Sequence, residues 1–574
     1  MSYKKSLDDY VDNIQLKLRD GNFNEALKEI QRALNDYPTN PKLYINGGNI
    51  FKILGNLDDA ESYYTKALSI HKSKEVLNNL SVIHIERRNY DQAISLAKEA
   101  IEIDPAYVDA MHNLSLSQDS LGNYDEAEKY SSKACALNNY KDAKYLVLLI
   151  RILQNTCNWK DTDEISKMLD QHIGNGLEHP FLSISRMDNE ENNYKVACSW
   201  AKRDIQRNNN SRIFNEKIKL GYLCGEFRNH PTNHLIKNLF KHHNNSNFEV
   251  YIFSYNHDDA AREYIENNVY KFVNLNDLDN EKASKLIVDH NLDILIDLAI
   301  IITNNRQDII NNNSAKKIIS YLGFPGTSGS KIYDYIITDQ TVTPLSQQKY
   351  YTEKFLYMPR TYQVNDGERI YLDKKLTSKK DHDLPESSLV LSCFNQSFKI
   401  DKLMFNCWID ILNKVNDAYL WLLEDNEISK NNIYSYAEKY GIESNRIIFA
   451  PRVNRQDHLD RLKLSDITLD TRIYNGHTTT TDSIQCAVPV VTLMGNHFAS
   501  RVSASILQAV GLNELTTKNI SDYKSLVIKL ATKPDYLDKI KNKLKGESSF
   551  INDFYDLKKF TKELEDNLNK ISNS

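Results

Sequence analysis

The pattern of hydrophobic and polar positions changes once along the chain, near residue 217. Before that point similar segments recur and read as pairs of amphipathic helices. After it, short apolar runs alternate with helical patterns. Ile218–Leu223, Phe248–Tyr255, Lys271–Leu275, Leu292–Leu298 and Lys317–Tyr321 read as buried strands. Helical patterns at Thr232–His243, Asp259–Asn267 and Lys282–His290 fall between them. A polar stretch rich in Lys, Asp and Ser, residues 373–388, interrupts the series. The alternation then restarts, with strands at Leu389–Cys393, Tyr419–Leu423, Arg446–Phe449, Ile467–Asp470 and Pro489–Leu493. Alternation of this kind predicts two α/β halves, each a doubly wound, Rossmann-like parallel sheet.

The first third carries an internal repeat. Its segments begin Gly21-Asn22-Phe23, Gly55-Asn56-Leu57, Arg88-Asn89-Tyr90, Gly122-Asn123-Tyr124 and, more degenerately, Cys157-Asn158-Trp159. The asparagines step by 34, 33, 34 and 35 residues, the period of a tetratricopeptide repeat. Gly-Asn makes the turn between two helices, and the following aromatic or leucine packs in the groove. A small alanine three residues after that apolar residue lets helices approach closely. Pro38, Pro41 and Pro105 fall between repeats, where helices stop. Units of this kind stack into a curved α-solenoid that commonly holds a peptide or protein. The expected organisation is an array over residues 1–190 and a bridging helix or linker over 191–215, with the helix at Tyr194–Arg207. A first half over 216–372, a linker over 373–388 and a second half with C-terminal helices over 389–574 complete it.

Composition narrows the classes. A chain of 574 residues is too long for one core. A net charge of −5 argues against a protein that works by broad phosphate neutralisation of nucleic acid. The seven cysteines are scattered and never form a C-x-x-C pair, which fits reduced thiols in a cytoplasm better than disulfides or zinc. No apolar run of about 18 residues predicts a membrane span, and no signal peptide is visible. Oligomeric state is not legible.

The candidate chemistry gathers at strand ends. Asn475-Gly476-His477-Thr478-Thr479-Thr480-Thr481-Asp482 follows the strand Ile467–Asp470 and precedes a helical pattern at Ser483–Ala487. Strand, glycine turn and helix start form a phosphate site: bare backbone amides and the positive end of the helix dipole meet the anion. The alternative is an ordinary N-cap in a polar loop. Gln396 and Lys399, in Phe394-Asn395-Gln396-Ser397-Phe398-Lys399, lie on the same predicted sheet edge, where the lysine can serve a diphosphate leaving group. His230 precedes a proline at a helix start and faces the same cleft, to hold a hydroxyl or move a proton; a capping histidine is the alternative. Leu322-Gly323-Phe324-Pro325-Gly326 is a glycine-rich turn without the lysine of a P-loop. Asp457-His458-Leu459-Asp460-Arg461 opens a helix that can flank a nucleobase or diphosphate. Asp277-Leu278-Asp279 has the spacing of a metal-binding carboxylate pair, but its place before a helix favours a cap, and no metal is expected.

These segments together resemble the O-linked N-acetylglucosamine transferase family, whose members join a tetratricopeptide array to a two-Rossmann (GT-B) catalytic region. The resemblance covers roughly residues 15–570 and rests on Gly221–His234, Tyr321–Gln340, Phe394–Asp401, Asn475–Asp482 and Ala499–Val502. It implies that Lys399 contacts the diphosphate, Gln396 the nucleotide and Thr478 and Thr479 the phosphates, with His477 beside them. It further implies Asp482 at the ribose, His458 and Arg461 around the uridine and diphosphate, His230 in the active site, and Gly323 and Pro325 beside the sugar. The implied reaction is an inverting, metal-independent transfer from UDP-N-acetylglucosamine to Ser or Thr of a protein recruited by the repeats, with no cofactor beyond the donor. Two departures stand out: Leu298–Ile302 is apolar where relatives carry glycine and an aromatic or histidine, and Asp293 stands where some carry an active-site histidine. Other readings are a related transferase with another UDP-sugar or an Asn acceptor, and a repeat adaptor whose transferase region is weak or inactive.

Overall fold

The computed structural model describes residues 5–201, 216–302, 305–311, 313–370 and 377–572. It divides into two compact units, residues 1–153 and 154–574.

The first unit is the repeat array. Its helix pairs include Pro41–Ile53 with Leu57–Ile70, Lys74–Glu86 with Tyr90–Ile103, and Val108–Ser120 with Tyr124–Leu137. The repeat turn has one cause. The residue before each repeat asparagine has a positive φ, at Gly21 (71°), Gly55 (77°), Arg88 (62°) and Gly122 (78°). This left-handed residue closes the preceding helix, and the asparagine amide reaches back to a carbonyl five residues earlier, as Asn56 does to Phe51 (2.9 Å). Glycine adopts that conformation without strain, which is why three of these four turns carry it. The small residues at Ala26, Ala60, Ala93 and Ala127 are fully buried at helix–helix contacts.

The second unit holds two parallel sheets. In the first, β1 (Ile218–Cys224), β2 (Phe248–Ser254), β3 (Lys271–Asn274), β4 (Leu292–Asp297), β5 (Ala315–Ser320), β6 (Tyr335–Thr338) and β7 (Lys354–Tyr357) take the order 3-2-1-4-5-6-7. In the second, β8 (Leu389–Cys393), β9 (Ala418–Leu423), β10 (Ile447–Ala450), β11 (Ile467–Leu469), β12 (Val490–Leu493) and β13 (Thr516–Thr517) take the order 10-9-8-11-12-13. Each order reverses direction once, between β1 and β4 and between β8 and β11. Ligands of such sheets bind in the crevice beyond those strand ends. The last helix, Leu557–Ser572, returns to the first sheet, where Glu565 Oε1 lies 2.9 Å from His243 Nδ1.

Several expectations are corrected. The sequence pattern extends the array to residue 190, yet residues 154–200 belong to the unit of the sheets. Trp159 donates its indole N–H to the Ile400 carbonyl (3.0 Å), and Glu190 accepts the Phe498 amide (3.1 Å). Polar anchors of this sort carry no periodicity. The bridging helix expected at Tyr194–Arg207 runs instead from Glu190 to Trp200; residues 202–215 lie outside the described ones. The helix expected at Thr232–His243 is broken into Pro231–Ile236 and a 3-10 turn at Phe240–His242. Part of the expected linker, 373–376, also lies outside the described residues; Lys379–His382 forms a 3-10 turn. Asp279 caps the helix Asn280–Asp289, accepting the Lys282 amide at 2.8 Å. Among the described residues no helix is long and apolar enough to cross a membrane.

Candidate active site

A cavity of about 600 Å³ opens where the two sheets present their reversal points. The loops after β1, β4, β5, β8 and β11 all reach it, so chain topology alone brings five distant segments together. His230, Gly323, Gln396, Lys399, His477, Thr478 and Thr479 line it.

The wall of the second half is built around a helix start. The helix runs from Thr478 to Gln485, five residues earlier than the sequence pattern suggests. Four successive threonines read as turn formers, because β-branched hydroxyl residues are weak helix formers. Here they are absorbed: Thr480 Oγ1 bonds the Gly476 carbonyl (3.0 Å), and the following residues 480–485 are buried. Thr478 and Thr479 are thus the first helical residues, and their amides have no partner inside the helix. Gly476 is required by close packing, since a Cβ there would stand 2.6 Å from Thr479 Oγ1 and 2.7 Å from Thr480 Oγ1.

Asp470, at the end of β11, holds this turn. Its Oδ1 accepts the Gly476 amide (2.6 Å) and the Thr471 amide (2.9 Å), and its Oδ2 accepts the Thr492 hydroxyl (2.6 Å). Burial raises its pKa to about 6 against these hydrogen bonds and the field of Lys399. Lys399 donates to the Asn475 carbonyl (3.0 Å) and sits 4.0 Å from the Tyr474 ring centroid. Tyr474 is packed by Phe181 and Phe398. Burial pulls the ammonium down to about 8, opposed by the fields of Asp470 and Cys393. His477 sits 3.3 Å from the Ala499 carbonyl through Nε2; a carbonyl only accepts, so the proton is on Nε2 and Nδ1 is left as an acceptor. Burial holds this imidazole neutral.

The opposite wall carries His230. It caps its helix, Nδ1 accepting the Thr232 amide at 3.2 Å. Its Nε2 therefore bears the proton and lies 4.0 Å from Glu226 Oε2. Burial lowers its pKa, Glu226 opposing and Arg228 assisting. Glu226 is itself paired with Arg228 (2.8 Å). Beside them the wall is apolar, from Leu235, Ile302 and Leu322. Ile300 stands at φ 57°, a strained conformation for a β-branched residue. Asp297 braces the turn, accepting the Ala299 amide (2.9 Å) and the Tyr333 hydroxyl (2.6 Å).

The remaining sequence-derived candidates lie off the main wall. His458 lines a small recess that shares Phe394, Asn395 and Thr479 with the cavity, and Arg461 stacks 4.8 Å from the Phe394 ring. Asp482 is buried against Arg455 (3.4 Å), with burial raising its pKa to about 7. Pro325 is buried and is not among the residues that line the cavity. Asp293 is at the opposite end of β4 from the cavity, paired with Lys316 (2.7 Å), so it has no position in the site. Sequence reading missed Phe181, Asp470 and Gln363. Asp470 alone had a signal, an acidic residue ending a strand directly before the glycine turn.

The model of glycosyl transferase family 41 matches residues 195–375 and 364–564, and tetratricopeptide-repeat models match 41–73 and 84–133. A probable UDP-N-acetylglucosamine–peptide N-acetylglucosaminyltransferase of Arabidopsis thaliana, SEC, is 31% identical over 365 residues, covering 62% of this chain and 37% of the relative. The Caenorhabditis elegans UDP-N-acetylglucosamine–peptide N-acetylglucosaminyltransferase is 26% identical over 469 residues, covering 62% and 41%. The chain thus spans roughly two-fifths of the length of these curated relatives. Among solved structures, a mutant of Thermobaculum terrenum O-GlcNAc transferase aligns over 93% of this chain and 97% of its own, with a TM-score of 0.65 at 21% identity, and so shares its fold. With the family model matched across more than half of its residues, the chain belongs to glycosyl transferase family 41.

Proposed function

We propose that the chain transfers N-acetylglucosamine from UDP-N-acetylglucosamine to Ser or Thr hydroxyls of protein acceptors, with inversion and without a metal ion. One observation carries this reading: the Thr478–Gln485 helix start and the Lys399 ammonium converge on one cavity, a pairing suited to a diphosphate. Lys399 and the exposed amides stabilise the charge that grows on the diphosphate as the sugar C1–O bond breaks and the acceptor oxygen bonds to C1, its proton passing to the departing diphosphate or to water. Because its Nδ1 is occupied, neutral His230 enters as an Nε2–H donor toward a hydroxyl rather than as the base that deprotonates the acceptor. Phe394, His458 and Arg461 form the uridine side, and Asp482 the ribose side. The repeat array recruits the acceptor protein. The donor and the peptide acceptor named for the relatives support this reading.

The apolar wall of Leu235, Ile302 and Leu322 favours a second reading for the donor alone, a UDP-sugar other than N-acetylglucosamine. Both are tested by incubating the protein with a panel of UDP-sugars and a cell lysate and reading mass gains on intact proteins. A gain of one N-acetylhexosamine with UDP-N-acetylglucosamine supports the proposal, and a gain with another sugar alone supports the second reading. No transfer with any donor leaves a protein-binding adaptor.

A further inference from the structure

Gln363 lies in the irregular segment that follows β7, and it is one of the residues that line the cavity. It is 2% exposed. One end of its amide is held by Thr481, with Nε2 2.9 Å from Oγ1. The other end, Oε1, is buried and has no hydrogen-bond partner. The residues on either side of it are anchored. Tyr362 donates its amide to Asp339 (2.9 Å) and accepts the Tyr321 hydroxyl (2.8 Å). Asn365 donates to the Phe554 carbonyl (2.8 Å), and Asp366 is paired with Arg455 (2.9 Å). A buried polar group without a partner is rare and costly, and in a binding cavity it marks a place where a ligand completes the bond.

Thr481 is three residues beyond Thr478 on the same helix, so Gln363 is about 5 Å along the helix axis from the proposed phosphate site. The ligand groups within that reach are the ring hydroxyls on either side of a diphosphate. A hydroxyl both donates and accepts, so it pairs with either end of the amide. We infer that Gln363 is a specificity-determining residue that hydrogen-bonds a ring hydroxyl of the bound nucleotide sugar. The inference rests on the diphosphate reading proposed above.

The test uses the full chain and calorimetric titration with UDP, UDP-N-acetylglucosamine, and analogues each lacking one hydroxyl of the ribose or the sugar. The wild type is expected to bind one deoxy analogue about 3–10-fold more weakly than its parent, the range of one neutral hydrogen bond. In Gln363→Met, of similar volume, that penalty disappears. Gln363→Asn, which keeps an amide but draws it back by one methylene, loses it as well and serves if the methionine variant does not fold. A ribose analogue as the discriminated one assigns the contact to the nucleoside, and a sugar analogue assigns it to the transferred group; a merely structural residue would shift all donors alike. If the wild type binds UDP but a folded variant keeps the full penalty, or no analogue is discriminated, the inference is overturned alone. If the wild type does not bind UDP at millimolar concentration, the diphosphate reading fails and the inference with it.

Discussion

Replacing Lys399 by methionine keeps most of the stem and removes the charge. The side chain touches three things that fix what is lost. Its ammonium bonds the Asn475 carbonyl at 3.0 Å, lies 4.0 Å from the Tyr474 ring centroid, and feels the field of Asp470. The substitution therefore removes a desolvated cation together with its field on a buried carboxylate. These effects oppose each other in the folded state, and the melting temperature should move by only a few degrees, on the order of 1 kcal/mol. The reaction has no such compensation. A preorganised charge-stabilising donor contributes about 10²–10³ in rate, or about 3–4 kcal/mol of transition-state stabilisation. UDP-N-acetylglucosamine turnover, followed as UDP release alongside protein mass gain, should fall by that factor. UDP affinity should fall less, because the helix amides at Thr478 and Thr479 remain. Turnover within about threefold of wild type would refute the reasoning, since a lysine that only fills space is well replaced by methionine.

Four further outcomes are expected. The ammonium is pulled down to about 8 by burial, so it is charged below that pH and lost above it; kcat/KM should decline above about pH 8, and Lys399→Arg, which stays protonated, should lack that limb in whatever activity remains. Gly476→Ala would press a Cβ against two threonine hydroxyls, and calorimetry should show UDP binding weakened at least about tenfold. Asp470→Asn leaves one oxygen to serve three donors and should lower stability by about 1–3 kcal/mol in a denaturant titration, with parallel loss of UDP affinity. Activity should persist in excess EDTA; loss reversed by Mg²⁺ or Mn²⁺ would contradict the metal-free reading.

The periodic parts of the architecture were legible in the sequence. A 34-residue step and a left-handed turn residue follow from helix packing, and buried parallel strands announce themselves as apolar runs. The short strands Tyr335–Thr338, Lys354–Tyr357 and Thr516–Thr517 were not recognised as strands, being too brief to show a pattern. Lys399, His230, Thr478 and Thr479 line one cavity, as their sequence positions suggest, because each follows a strand end and topology sends strand ends to one cleft. The start of the Thr478 helix was misread because propensity counts threonine against helix, while the burial of residues 480–485 overrides it. Gln363 and Phe181 gave no signal, since their meaning lies in contacts more than a hundred residues away in sequence. Asp293, which the resemblance matches to an active-site histidine of some relatives, is carried by β4 to the end of the strand away from the cavity.

The account stands on where a diphosphate binds. A crystal structure of the chain soaked with UDP is the most direct measurement. It should show phosphate oxygens within hydrogen-bond distance of the Thr478 and Thr479 amides and of Lys399 Nζ, with the uracil toward Phe394 and His458. A nucleotide held elsewhere, or none bound at millimolar concentration, would contradict it.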